Sequence, residues 1–125
     1  MILDTNALSA WADGTAAVRP ALSSASRLVV PAVTLGEYLF GIRQSRHRQR
    51  YERWLAVNLP AAELATIGHA TAREYAGIRL ELKKRTTPIP ANDTWIAALA
   101  RQHGLPILSN DTHFDAVSGI QRIGF

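Results

Sequence analysis

Met1-Ile2-Leu3-Asp4-Thr5-Asn6 and Leu105-Pro106-Ile107-Leu108-Ser109-Asn110-Asp111 decide the fold of this 125-residue chain. Each holds a very short apolar run, closed by polar turn and cap residues that include an acid. An apolar run without polar alternation reads as a strand buried on both faces. Leu28-Val29-Val30 repeats the pattern, a weaker strand falls at residues 64–66 before Gly68, and residues 120–125 supply a last one. Helical stretches lie between them. They cover residues 7–11 and 15–24, then a helix with Pro31 in its first turn that runs to about Ile42. Residues 46–57 carry Tyr51, Trp54 and Leu55 at helical spacing, and residues 69–85 carry Ala72, Tyr75, Ala76, Leu80 and Leu82. Thr87-Pro88-Ile89-Pro90 breaks that helix. Asn92 or Asp93 opens the next, His103-Gly104 closes it, and residues 111–117 form a short one. Short apolar strands alternating with helices predict an α/β fold with a parallel sheet covered on both faces.

Composition sets the bounds. With 47% hydrophobic and 19% charged residues, the chain has the composition of a globular protein rather than a disordered one. No repeat or linker divides it, so residues 1–125 are expected to form a single domain. The absence of cysteine removes disulfides, thiolate zinc sites and Cys nucleophiles. No apolar run approaches the roughly 20 residues that span a bilayer. Met1-Ile2-Leu3-Asp4 has no basic leader and meets an acid at position 4, so no signal peptide is read and a cytoplasmic location is expected. A net charge of +4 and a pI near 10.1 hint at a polyanionic partner.

In parallel α/β sheets, sites form beyond the carboxyl ends of the strands. Asp4 and Asp111 follow strands directly, while Glu37 and Asp93 lie on helices that start at the same edge. The helical neighbours of Glu37 are Val33, Thr34, Phe40 and Gly41, with no cation among them. Asp93 shares a face with Ile96, Ala97 and Ala100. Clustering carboxylates away from cations is costly, and a divalent metal resolves the cost. A set of hard oxygen donors favours Mg²⁺ or Mn²⁺ over zinc. Taken singly, Asp4, Asp93 and Asp111 also read as helix caps or first-turn acids. Asp115 stands one helical turn after Asp111 and is a fifth candidate. His47, His69, His103 and His113 are scattered, with His103 closing a helix and His113 read as packing or support.

These residues resemble a known family. The segment Met1-Ile2-Leu3-Asp4-Thr5-Asn6-Ala7-Leu8-Ser9 is similar to the opening motif of PIN-domain nucleases. Val30-Pro31-Ala32-Val33-Thr34-Leu35-Gly36-Glu37-Tyr38-Leu39-Phe40-Gly41 resembles their second motif. Pro88-Ile89-Pro90-Ala91-Asn92-Asp93-Thr94-Trp95-Ile96 resembles the third, and residues 105–117 resemble the fourth. Within the family, length and wording look most like VapC toxins of bacterial toxin–antitoxin pairs. The resemblance implies a PIN-like three-layer α/β sandwich with a central parallel sheet of about five strands. It implies that Asp4, Glu37, Asp93 and Asp111 are catalytic, with Asp4, Asp93, Asp111 and Asp115 as metal ligands and Asn6 and Ser109 supporting them. It further implies Mg²⁺- or Mn²⁺-dependent endoribonuclease activity, a cognate VapB-type antitoxin and a homodimer. The fourth motif departs from the common Thr-Arg-Asp: Ser109-Asn110-Asp111 keeps a hydroxyl and loses a cation.

Metal-activated water is the chemistry such a cluster supports. Arg43, Arg46, Arg48, Arg50 and Arg53 form a dense basic run that reads as a contact for RNA phosphates or for antitoxin acids. Arg79, Lys83, Lys84 and Arg85 end the long helix, where cations are also favoured structurally. Leu8, Trp11, Tyr38, Leu39 and Phe40 read mostly as core, with an antitoxin or dimer groove as the other reading. Two alternatives remain: a non-toxin nuclease in RNA processing or acting on DNA, and an inactive nucleic-acid-binding module. Setting the four acids aside leaves 14 bases against 6 acids, a balance of +8 around an acidic centre.

Overall fold

Ile2 and Leu3 point to opposite faces of the sheet, and that alternation builds two cores. In the computed structural model, which describes residues 1–125, the strands are β1 (Ile2–Leu3), β2 (Val29–Pro31), β3 (Glu63–Ala65), β4 (Ile107–Leu108) and β5 (Arg122–Ile123). All pair in parallel, in the order β3-β2-β1-β4-β5. Ile2 sits opposite Val29 and Ile107, and Leu3 opposite Leu108. Neither Ile2, Leu3, Ile107 nor Leu108 exposes any surface, as expected for strands covered on both sides.

The helices are α1 (Thr5–Ala12), α2 (Arg19–Ser24), α3 (Ala32–Arg43), α4 (Arg48–Asn58), α5 (His69–Lys84) and α6 (Ala91–His103). Ile2, Val29 and Ile107 pack with Ile78 and Leu82 of α5, the run 96–100 of α6, and Phe114. Leu3, Val30 and Leu108 pack on the other face with Ala7 and Leu8 of α1, Tyr38 and Ile42 of α3, and Leu55 of α4. Burying each such Leu or Ile contributes about 1.5–3 kcal/mol, so the three-layer sandwich rests on both cores. Of the aromatic and apolar residues with two readings, Leu8 and Tyr38 are core, whereas Phe40 is 71% exposed.

Several boundaries differ from those expected. Pro31 ends β2 and caps α3 instead of lying in its first turn. Residues 15–24 divide into a 3₁₀ turn at Ala16–Val18 and the short α2, because Pro20 restarts the helix at its own first turn. The last strand shrinks to Arg122–Ile123, and the helix after Asp111 is a 3₁₀ segment, Thr112–Ala116. Gly104 closes α6 with φ 63°, a left-handed cap that glycine adopts without strain. No helix is long and apolar enough to cross a membrane.

From β1 the chain winds outward through β2 to β3, then returns to build β4 and β5 on the other side. The gap beyond β1 and β4 is therefore the switch point of the winding, where crevices form in such sheets.

Candidate metal centre

Asp4 and Asp111 leave the neighbouring strands β1 and β4 at that switch point. Asp4 is 5% exposed and caps α1, its Oδ1 accepting from the Thr5 amide at 2.8 Å. Its Oδ2 accepts from Ser109 Oγ at 2.7 Å and from Asn6 Nδ2 at 3.0 Å. The fully buried Ser109 hydroxyl also accepts from Asn6 Nδ2 at 3.1 Å and from the Asp111 amide at 2.9 Å. Asn6 Oδ1 takes the Asn110 amide at 3.1 Å. Asn6 and Ser109 thus sew the ends of β1 and β4 together behind the acids, with every polar atom of the knot satisfied. Asp111 is at once a cap, accepting from the His113 amide at 2.9 Å, and a side chain facing the crevice. Asp4 and Asp111 thus cap the segments that follow them while standing at the strand ends.

Asp93 lies in the first turn of α6 and Glu37 in the second turn of α3. Both helices begin at the strand ends, so both acids arrive at the same edge. No Lys or Arg pairs with any of the four carboxylates. Burial pushes the Asp4, Glu37 and Asp93 carboxyls above the usual carboxylate range, and the charges of the other acids add to it. Hydrogen bonds from Ser109 and Thr5 pull Asp4 partly back, and His113 does the same for Asp93. Glu37 Oε1 is buried with no well-formed hydrogen bond, and the neighbouring Thr5 hydroxyl pulls its carboxyl only partly back toward the ordinary range. Acidic oxygens gathered with no Lys or Arg among them match a hard divalent cation.

Of the two readings of His113, packing or support, the structure places it beside the acids. Its Nδ1 lies 3.1 Å from Asp93 Oδ2 and 3.0 Å from Asp111 Oδ1. Asp93, Asp111 and His113 each offer one ligand atom within 4.8 Å of the others, an arrangement able to hold a metal ion. The bond to Asp93 and the charge of Asp111 hold the imidazole above its ordinary value.

Asp115, expected as a ligand, is placed differently. Both its oxygens are taken by Arg122, at 2.8 Å to Nε and 2.9 Å to Nη2, and this pair holds its carboxyl below the ordinary range. A 3₁₀ segment turns three residues per circuit, so a residue four positions on points about a third of a turn away instead of along the same face. Arg122 also donates to the Ser109 carbonyl at 3.1 Å, which puts a guanidinium from β5 beside the fourth motif. Asn110, where the cation is missing, accepts from the Phe125 amide at 2.8 Å through its Oδ1.

Arg43, Arg46, Arg48 and Arg50 are all exposed, on the end of α3, the following turn and α4. Arg48 pairs with Glu52 at 2.8 Å and Arg50 lies 5.1 Å from the Tyr51 ring centre. A cavity of about 210 Å³ runs from Thr5 and Glu37 past Asp13 to Ser45 and Tyr51.

The PIN-domain family profile matches residues 1–120. Ribonuclease VapC4 of Mycobacterium tuberculosis is 31% identical over 75% of this chain and 74% of its own length. This chain belongs to the PIN-domain family, among the VapC ribonucleases. The tRNA(fMet)-specific endonuclease VapC of Shigella flexneri is 28% identical over 76% of this chain and 73% of its own. Among solved structures, the DNA-bound VapBC of Salmonella typhimurium superposes with a TM-score of 0.87 at 25% identity, covering 98% of this chain and 96% of that one. The expected PIN-like sandwich of five parallel strands is the fold observed, and the nuclease assignment agrees with these VapC relatives.

Proposed function

We propose that this VapC-family protein is the toxin of a toxin–antitoxin pair, cutting RNA with Mg²⁺ or Mn²⁺ held by Asp4, Asp93 and Asp111, with Glu37 and His113 completing the site. The observation that carries this reading is the meeting of four carboxylates at one sheet edge with no Lys or Arg paired to them. When bound, the divalent cation supplies an activated water and neutralises charge on the scissile phosphate. The chain's own residues do the rest. Asp4 is fixed on both oxygens by Thr5, Asn6 and Ser109, so its lone pairs are aimed before any ligand arrives. Glu37, uncommitted at Oε1, is the group free to accept a proton or orient a water at the crevice. Hydrolysis of this kind uses no 2′-hydroxyl and leaves a 5′-phosphate and a 3′-hydroxyl.

The similarity to ribonucleases named VapC, one of them tRNA-specific, supports RNA as the substrate. The VapBC structure supports an antitoxin partner of VapB type. Cleavage of defined RNAs by the purified protein, with Mg²⁺ or Mn²⁺ against EDTA, tests the reading. Metal-dependent cuts with 5′-phosphate ends, lost in Asp4→Asn, are the expected result; cleavage that survives EDTA or the substitution overturns it.

A further inference from the structure

A cleft of about 510 Å³ opens between α5 and the loop that leads into α6. Its walls are apolar, with Leu82, Ile89 and Tyr75, and its rim carries Arg79 and Lys83 with no acid. Tyr75 is locked against Trp95, ring centres 3.9 Å apart and 20° from parallel, and its hydroxyl accepts from Arg79 at 3.0 Å. The lip includes Thr86, which ends α5 in the left-handed region at φ 53°, with the Thr87 amide donating back to the Leu82 carbonyl at 3.0 Å. Thr94, on the cleft wall, is the residue next to Asp93, so an occupant sits one residue from the metal centre.

We propose that this cleft seats one unpaired nucleotide of the RNA, its base against Tyr75 and Ile89 and its phosphates on Arg79 and Lys83. The proposal rests on the ribonuclease reading above and names what gives that site its selectivity. The volume suits a ligand of nucleotide size. Proteins that read single-stranded RNA place splayed bases on aromatic and apolar surface and leave the backbone to cations.

The test uses the intact protein in EDTA, followed by amide and indole NMR shifts, with the four nucleoside 5′-monophosphates and ribose 5-phosphate as probes. The expected result is saturable shifts at Ile89, Thr94 and the Trp95 indole with at least one nucleotide and none with the base-free sugar phosphate. Ile89→Asp should weaken that binding about ten- to a hundredfold. The surface double variant Arg79→Ser, Lys83→Ser should raise KM for RNA while keeping kcat. Equal shifts with ribose 5-phosphate, or none with any nucleotide, overturn the proposal. So does a change in sedimentation of the double variant, which makes the cleft a contact between copies, or lost antitoxin binding with RNA binding kept. Nucleotide binding without RNA cleavage would sink the ribonuclease reading and leave the cleft; normal cleavage with KM unchanged in both variants would do the reverse.

Discussion

Ser109 Oγ donates to Asp4 Oδ2 at 2.7 Å and, through the same oxygen, accepts the amide of Asp111 at 2.9 Å. One hydroxyl therefore sets the positions of two acids that follow adjacent strands. Removing it leaves a buried carboxylate short of a donor and the Asp111 amide without an acceptor, while Asn6 keeps its bond to Asp4. Ser109→Ala is expected to cost about 1–3 kcal/mol in stability. It should also weaken metal binding about ten- to a hundredfold, while Ser109→Thr keeps most of both. Thermal melts and calorimetric Mn²⁺ titration measure the two effects; a wild-type metal affinity in Ser109→Ala would show that the hydroxyl orients nothing.

Glu37 is held against Asp4 and Asp93 with Oε1 unpartnered, so its charge opposes folding when no metal is present. Glu37→Gln is expected to raise the melting temperature in EDTA by roughly 2–4 °C, the shift that goes with somewhat under 1 kcal/mol in a domain of this size. The same variant should lose most RNA cleavage. A lower melting temperature would mean that the carboxylate is satisfied in a way its burial does not suggest.

Stability should depend on pH with a definite sign. A carboxyl whose folded pKa is raised stabilises fully below its unfolded value, about 4, and that stability is lost as pH rises through the folded value. Asp4, Glu37 and Asp93 all follow this course. His113, raised from 6.5 by Asp93 and Asp111, loses its contribution in the same direction at higher pH. Glu63 and Glu81, lowered by Arg27 and Arg101, act oppositely and withdraw stability only as pH falls through the acid range. In EDTA the melting temperature is expected to peak at mildly acidic pH and decline toward pH 8. Saturating Mg²⁺ should remove the decline, because a ligand of the ionised acids stabilises the folded state by mass action. An EDTA profile that stays flat from pH 5 to 8 contradicts the cluster.

Arg122 takes both oxygens of Asp115 while His113 sits against Asp93 and Asp111, and substitution separates the two. Asp115→Asn, which only loosens Arg122, is expected to leave Mn²⁺ affinity within about twofold, whereas His113→Ala should lower it clearly. The reverse order would restore Asp115 as a ligand.

Arg46, Arg48 and Arg50 stand exposed in the turn after α3 and the first turn of α4. If each meets one phosphate of single-stranded RNA, replacing all three with Gln should lower the slope of log affinity against log salt by about 2. An unchanged slope, with antitoxin binding reduced, would assign the run to the protein partner instead.

The strands and the four acids could be read from the chain because their signals are local: Ile2-Leu3 and Ile107-Leu108 are wholly apolar, and each acid stands at an element end. His113 could not. In an α-helix, positions two apart do not share a face, but the Asp111 carboxylate folds the chain back on the His113 amide and brings the imidazole into the group. Asp115 failed for the same reason, since the 3₁₀ winding that hides the histidine from an α-helical reading also rotates Asp115 onto Arg122. Arg122 gave no sign of its place, because β5 pairs with β4 across a distance no periodicity records. The nucleotide cleft joins residues of α5 to a loop and to α6, and a contact between separate segments leaves no pattern in either.

Because β1 and β4 are hydrogen-bonded neighbours with Leu3 opposite Leu108, Asp4 stands beside Ser109 at the strand repeat of about 4.8 Å, and Asp111 follows two residues on with its amide tied to the Ser109 hydroxyl. The pair therefore hangs on the rigid ends of the sheet. The chemistry is anchored in the part of the molecule least free to change, while the cleft and the basic turn lie on loops and exposed helix ends. Such a division lets target choice drift between lineages at little risk to catalysis, so relatives near 30% identity could share one reaction and cut different RNAs.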